Sequence, residues 1–114
     1  MKPKTISRDT LKQHLDNGDA MTLVEALPAR YYDAGHLPGA INIPHDQIKA
    51  LAPSLLPDKS ALIVVYCANK PCQNSLQATM TLNQLGYGAV YEYVEGKADW
   101  EAAGYPLETA TETA

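Results

Sequence analysis

Two cysteines five positions apart, Cys67 and Cys72, are the residues of this chain best suited to covalent chemistry. Cys67 ends an apolar, β-branched run that begins at Leu62, and a helical pattern begins at Ser75. This order predicts a thiol at the carboxyl end of a buried strand, facing the N-terminus of a helix. Free backbone N–H groups and the helix dipole favour an anion there. We therefore expect the pKa of Cys67 to lie below the ~8.5 of an ordinary cysteine.

The segment after this strand, residues 67–75, is called the cysteine loop below. Beyond Cys67 it consists of Ala68, Asn69, Lys70, Pro71, Cys72, Gln73, Asn74 and Ser75. Backbone N–H groups in such a loop can bind an anion, so we predict that residues 68–75 bind the substrate and that Cys67 is the nucleophile. Lys70 is the one cation of the loop. It either attracts an anionic substrate or is a solvated surface lysine.

Predicted strands and helices alternate along the chain. The strands span residues 21–26, 41–43, 61–66 and 89–94, and the helices span 8–17, 29–34, 45–51 and 75–85, with a last short helix after Gly96 around Trp100. Residues 52–60, with two prolines, are predicted to be a connecting segment. The alternation predicts an α/β domain with a mainly parallel central sheet flanked by helices. Ligands bind at the carboxyl ends of the strands in such folds, where Cys67 is expected.

Size and charge limit the classes of function. The 114 residues carry a net charge of −4 and are 46% hydrophobic, which predicts one globular domain over residues 1–114, ordered from about residue 5 to 108 with a flexible tail at 109–114. The acidic balance argues against nucleic acid or an anionic membrane as a partner. No signal-peptide pattern or membrane-spanning run occurs, so we expect a cytoplasmic protein with reduced cysteines.

The remaining polar residues predict no metal site and no cofactor. The two cysteines and the three histidines, His14, His36 and His45, do not have the spacing of metal ligands. His36 lies among turn-forming residues and is predicted to order the backbone there. Glu25 ends a predicted strand, and it either faces the cysteine loop or caps a helix.

Three segments of the chain resemble the rhodanese family of sulfurtransferase domains. The first is Glu25 followed by residues 32–44, which read YDAGHLPGAINIP. The second is the strand ending V-V-Y-C at Cys67, and the third is the closing signature around Gly96 and Trp100. The three segments occur in the order of the family, and the resemblance as a whole spans about residues 7 to 108.

The resemblance implies a single-domain rhodanese-like fold of three layers and the activity of a thiosulfate sulfurtransferase. Cys67 would take a sulfane sulfur from a donor such as thiosulfate, hold it as a persulfide, and pass it to cyanide or a thiol. A protein partner in a sulfur relay is a further candidate acceptor. No cofactor is implied.

The cysteine loop departs from the usual rhodanese pattern. It is two residues longer, contains Pro71, lacks the usual arginine, and places Ser75 eight positions after Cys67. A longer loop also resembles the dual-specificity phosphatases that share the fold, but those enzymes need the arginine to hold phosphate through two hydrogen bonds. A phosphatase is therefore the less favoured alternative. Glu25 and Glu95 also replace an aspartate and a glycine of the usual signatures.

Cys72 leaves two interpretations open. It is close enough in sequence to Cys67 to act as a resolving or accessory thiol, by forming a disulfide or accepting the sulfur. It is otherwise a partly buried thiol without a role. The competing hypothesis for the whole chain is a non-catalytic rhodanese-fold module for binding or redox sensing, in which Cys67 and Cys72 cycle as a disulfide.

Overall fold

The computed structural model describes residues 4–109 as five parallel strands interleaved with five α-helices. The strands are β1 (Lys4–Thr5), β2 (Thr22–Glu25), β3 (Ile41–Asn42), β4 (Ile63–Tyr66) and β5 (Val90–Tyr93). The helices are α1 (Arg8–Asn17), α2 (Ala29–Ala34), α3 (Ile48–Leu55), α4 (Asn74–Gln84) and α5 (Gly96–Ala102). The strand order is β1-β5-β4-β2-β3, which confirms the predicted α/β class. None of these helices is long and apolar enough to cross a bilayer. Residues 110–114 of the predicted tail lie outside the described residues.

Local signals in the sequence set the ends of α1. Ser7 is the N-cap, and its Oγ accepts a hydrogen bond from the backbone N–H of Thr10 at 3.2 Å. Gly18 ends the helix with φ at 69°, a left-handed conformation that glycine adopts without steric strain. Both ends were predicted from these residue types and are confirmed.

Strand β4 lies in the middle of the sheet and is buried on both faces. Ile63 and Val65 pack into the apolar cluster that contains residues of α3 and α4. Val64 and Tyr66 pack into a second cluster on the other face, which contains Leu11 of α1 and Trp100 of α5. Because successive strand residues face opposite ways, Cys67 continues the Ile63 and Val65 side and lies beneath α4.

The structure corrects two sequence predictions. Strand β1 was missed because it is only two exposed residues long and has no apolar alternation; it forms by pairing with Tyr91 and Glu92 of β5. The segment 52–60 was predicted as a connection, yet α3 runs through Pro53 to Leu55 after a 3₁₀ turn at His45–Gln47. Ile48, Ala52 and Leu56 recur every fourth residue and are buried, so the burial of this face holds the last turn together despite the proline.

Candidate active site

Cys67 directly follows β4, and its sulfur is enclosed by the cysteine loop and the first turn of α4. The side chain has no exposed surface. Its thiol lies 3.2 Å from Ser75 Oγ and 3.5 Å from the backbone carbonyl of Cys72. The structure therefore brings together Cys67, Cys72 and Ser75, three of the predicted site residues.

Burial reverses the expected direction of the Cys67 pKa shift. Removal from water raises the pKa of the thiol to about 11, and the interaction with the Cys72 side chain acts in the same direction. The hydrogen bond between the thiol and Ser75 Oγ, together with the backbone N–H of Ser75, lowers the pKa but does not outweigh burial. The predicted lowering was wrong, because desolvation acts more strongly than the hydrogen bonds with Ser75 in the first turn of α4.

The outer part of the cysteine loop faces solvent. Its exposed members are Asn69, Lys70, Pro71 and Gln73. Cys72 is half-buried, and its backbone N–H donates to the Asn69 carbonyl at 3.1 Å. Within residues 4–109, the hydrogen-bond partners of Cys67 Sγ come from Cys72 and Ser75. Anion binding by the other loop amides and by Lys70 stays a prediction.

Glu92 is a buried acidic residue of the site that the sequence analysis missed. Its Oε2 accepts a hydrogen bond of 2.7 Å from the Ser75 hydroxyl. Glu92 is 6% exposed and follows the buried Val90 by two residues, so both side chains face α4. A carboxylate on the inward face of an apolar strand is the signal that could have indicated it.

The N-terminus of α5 supports the start of the cysteine loop. The backbone N–H groups of Lys97 and Ala98 donate to the carbonyls of Cys67 and Ala68, at 2.9 and 2.8 Å. Gly96 has φ at +69°, and a Cβ added there would lie 2.5 Å from the Cys67 carbonyl oxygen. Only glycine allows α5 to approach the loop this closely.

Within residues 4–109, Glu25 neither faces the cysteine loop nor caps a helix, which corrects both of its interpretations. Leu23, two residues earlier in β2, packs in the α1 and α5 cluster, and strand alternation places Glu25 on that same face, opposite Cys67. Its Oε1 accepts a hydrogen bond of 2.8 Å from the Tyr66 hydroxyl and lies 3.1 Å from Lys97 Nζ. Burial raises the pKa of Glu25 despite these partners.

His36 orders the backbone of its turn, as predicted. Its ring Nδ1–H donates to the Tyr32 carbonyl at 2.8 Å, and its ring stacks on that of Tyr32 with centroids 3.8 Å apart. In the part of the chain that the structure describes, no three His, Cys, Asp or Glu side chains are grouped so that they could hold a metal ion.

A sequence profile of the rhodanese-like domain matches residues 7–103, which is most of the chain. This chain belongs to the rhodanese-like domain family. The human single-domain sulfurtransferase TSTD1 superposes with a TM-score of 0.74 at 26% identity, covering 86% of this chain and 95% of the human one. The rhodanese-like architecture predicted from the three sequence segments is thereby confirmed.

Two relatives of this chain carry the names of different functions, a transcriptional regulator and a sulfurtransferase. The HTH-type transcriptional regulator Rv0324 of Mycobacterium tuberculosis is 33% identical over 103 residues, covering 90% of this chain and 44% of the relative. The thiosulfate sulfurtransferase PspE of Escherichia coli is 38% identical over 56 residues, covering 49% of this chain and 52% of the relative. The chain thus spans about half the length of the curated relatives that it matches.

Proposed function

We propose that this rhodanese-like chain is a sulfurtransferase that carries a sulfane sulfur as a persulfide on Cys67. The donor would be thiosulfate or a related anion, and the acceptor would be cyanide, a small thiol or a protein partner in a sulfur relay. The observation that carries this proposal is the position of Cys67: its Sγ ends the central strand and lies 3.2 Å from Ser75 Oγ in the first turn of α4. The sulfurtransferase names of PspE and TSTD1 support the same chemistry.

The reaction consists of two displacements at sulfur. The Cys67 thiolate attacks the sulfane sulfur of thiosulfate, the S–S bond of the donor breaks, and sulfite leaves with the bonding electrons. The acceptor then attacks the outer sulfur of the persulfide and releases the thiolate. Each displacement conserves charge, because an anionic nucleophile replaces an anionic leaving group.

The site must meet two conditions before the first displacement. With a pKa of about 11, the thiolate fraction of Cys67 at pH 7 is on the order of 10⁻⁴, so the thiol needs a local proton acceptor or a change of environment. Cys67 has no exposed surface, so the outer part of the cysteine loop must move to admit a donor. The exposed Lys70 would attract an anionic donor to this loop, and the amides of residues 68–75 would bind it.

A second candidate function is redox sensing by Cys67 and Cys72. The proximity of the two cysteines favours this alternative, because the Cys67 thiol lies 3.5 Å from the Cys72 carbonyl oxygen and interacts with the Cys72 side chain. The two thiols would form a disulfide by passing two electrons and two protons to an oxidant such as hydrogen peroxide, which is reduced to water. No sulfur would be transferred.

Intact-mass measurement after incubation with thiosulfate tests the sulfurtransferase proposal. The wild type and the Cys72→Ser variant are expected to gain one sulfur atom, whereas Cys67→Ser gains none. Addition of cyanide should then remove the sulfur as thiocyanate. The sulfurtransferase proposal fails if the wild type gains no sulfur, and a loss of two hydrogens under mild peroxide would then support redox sensing.

A further inference from the structure

A chain of buried hydrogen bonds connects the Cys67 thiol to a carboxylate on the neighbouring strand. The thiol donates to Ser75 Oγ at 3.2 Å, and the Ser75 hydroxyl donates to Glu92 Oε2 at 2.7 Å. Cys67 and Ser75 have no exposed surface, and Glu92 is 6% exposed. The donors therefore run in one direction, from sulfur to carboxylate.

Among the residues that the structure describes, Glu92 is buried without a cationic partner. None of the ion pairs found in residues 4–109 includes it, although buried carboxylates in proteins are usually paired. Its nearest strand partners, Thr5 on β1 and Val65 on β4, carry no titratable group. The Ser75 hydroxyl is the hydrogen-bond donor that the structure shows for this carboxylate.

We propose that Ser75 and Glu92 form a proton relay that ionises the buried Cys67. The proton of the thiol passes to Ser75 Oγ while the original hydroxyl proton passes to Glu92 Oε2. One S–H bond and one O–H bond break, two O–H bonds form, and no electrons are gained or lost. Ser75 contacts the reacting sulfur, whereas Glu92 acts through Ser75 and is a positioning residue.

The relay removes the electrostatic obstacle to a thiolate at this position. Ionising Cys67 beside a charged Glu92 would place two negative charges in a site of low dielectric constant, which disfavours the thiolate. Transfer of the proton to Glu92 keeps one negative charge in the site before and after ionisation. Ser75 then donates to the thiolate and accepts from the neutral carboxyl group.

The relay predicts a distinctive dependence of thiol reactivity on pH. Where Cys67 and Glu92 share one proton, its distribution between them does not change with pH, so the rate of alkylation is constant. A single thiol with a raised pKa instead loses about tenfold in rate for each unit by which the pH falls. Cys72 is the other titratable group that interacts with Cys67, and Cys72→Ser removes it from the measurement.

The test measures alkylation of Cys67 by the neutral reagent iodoacetamide from about pH 5 to about pH 9, in the Cys72→Ser background. The Cys72→Ser parent is expected to show an alkylation rate that stays constant across the acidic part of this pH range. Addition of Glu92→Gln or Ser75→Ala should replace it with a fall of about tenfold per unit. Thr79→Val is the matched control, because the Thr79 hydroxyl is buried in the same helix but donates to the Ser75 carbonyl instead of the relay. It should keep the constant rate.

The relay rests on the sulfurtransferase proposal, because it takes Cys67 as the nucleophile. The outcomes of this experiment nevertheless test the two proposals separately. A constant rate that Glu92→Gln abolishes supports the relay even if thiosulfate loads no sulfur. Sulfur loading with the same pH profile in the Glu92→Gln variant and its parent overturns the relay and leaves the transferase. Circular dichroism checks that the variants are folded. If Glu92→Gln is unfolded, the pH profile of Ser75→Ala tests the relay instead. A tenfold fall per unit already present in the parent also overturns the relay.

Discussion

Replacing Gly96 with alanine should destabilise the domain through the contact between α5 and the cysteine loop. The new Cβ would lie 2.5 Å from the Cys67 carbonyl oxygen and 3.0 Å from the Asn69 backbone nitrogen. Both are main-chain atoms, so no side-chain rotation relieves the overlap. The loop or the start of α5 must move, which breaks the hydrogen bonds from Lys97 and Ala98 to the loop carbonyls.

Two effects set the magnitude of this destabilisation. Alanine in a left-handed conformation costs about 1–2 kcal/mol relative to glycine. Overpacking against fixed atoms adds about 1–3 kcal/mol. We therefore expect the free energy of unfolding of Gly96→Ala to fall by about 2–5 kcal/mol, which lowers the Tm by about 8–20 °C for a domain of this size.

Gly18→Ala is a matched control for the backbone effect. Gly18 has the same φ of +69°, but an added Cβ there has nothing within 4 Å. Its free energy of unfolding should fall by only about 1–2 kcal/mol. Urea denaturation of both variants measures the difference, and alkylation of Cys67 reports whether the loop has moved. Equal losses in the two variants would refute the close approach of α5 to the loop.

Other predictions concern the buried polar group around Glu25. Lys97→Met should lower the free energy of unfolding by about 3–5 kcal/mol, because it leaves a buried carboxylate without its cation. Urea denaturation measures this loss, with Lys49→Met as the control at an exposed lysine. Equal losses in the two variants would contradict the prediction. Tyr66→Phe should cost about 1–3 kcal/mol in the same assay, since the buried Leu37 N–H loses its acceptor and Glu25 Oε1 keeps only Lys97 of its two partners. Burial raises the pKa of Glu25 above its ordinary 4.5, so the folded state holds the Glu25 proton more tightly than the unfolded state does. The stability of the wild type relative to Glu25→Gln should therefore fall as the pH rises above 4.5, and a constant difference would be the contrary result.

Glu92 and Ser75 illustrate why the site could be predicted only in part. Cys67 and Ser75 belong to a continuous pattern of strand, loop and helix, so their proximity follows from local periodicity. Glu92 comes from a strand 17 residues after Ser75, and pairing of β4 with β5 brings it beneath α4. No local pattern carries that register.

The pKa of Cys67 shows a similar limit. The sequence places this thiol at a helix N-terminus, which by itself favours the anion. The opposing effect is desolvation, and its size depends on how completely residues distant in sequence exclude water. The direction of the shift is therefore a property of the packed structure.

The order of strands and helices, the caps at Ser7 and Gly18, and the position of Cys67 after a buried strand were determined by the sequence alone, because each depends on residues within a few positions of one another. Tertiary structure decided that Gly96 contacts the Cys67 carbonyl, that Glu25 lies on the opposite face of the sheet from the thiol, and that Lys4 and Thr5 form an edge strand. Each of these results from parallel pairing between distant segments, which only the folded chain brings into contact.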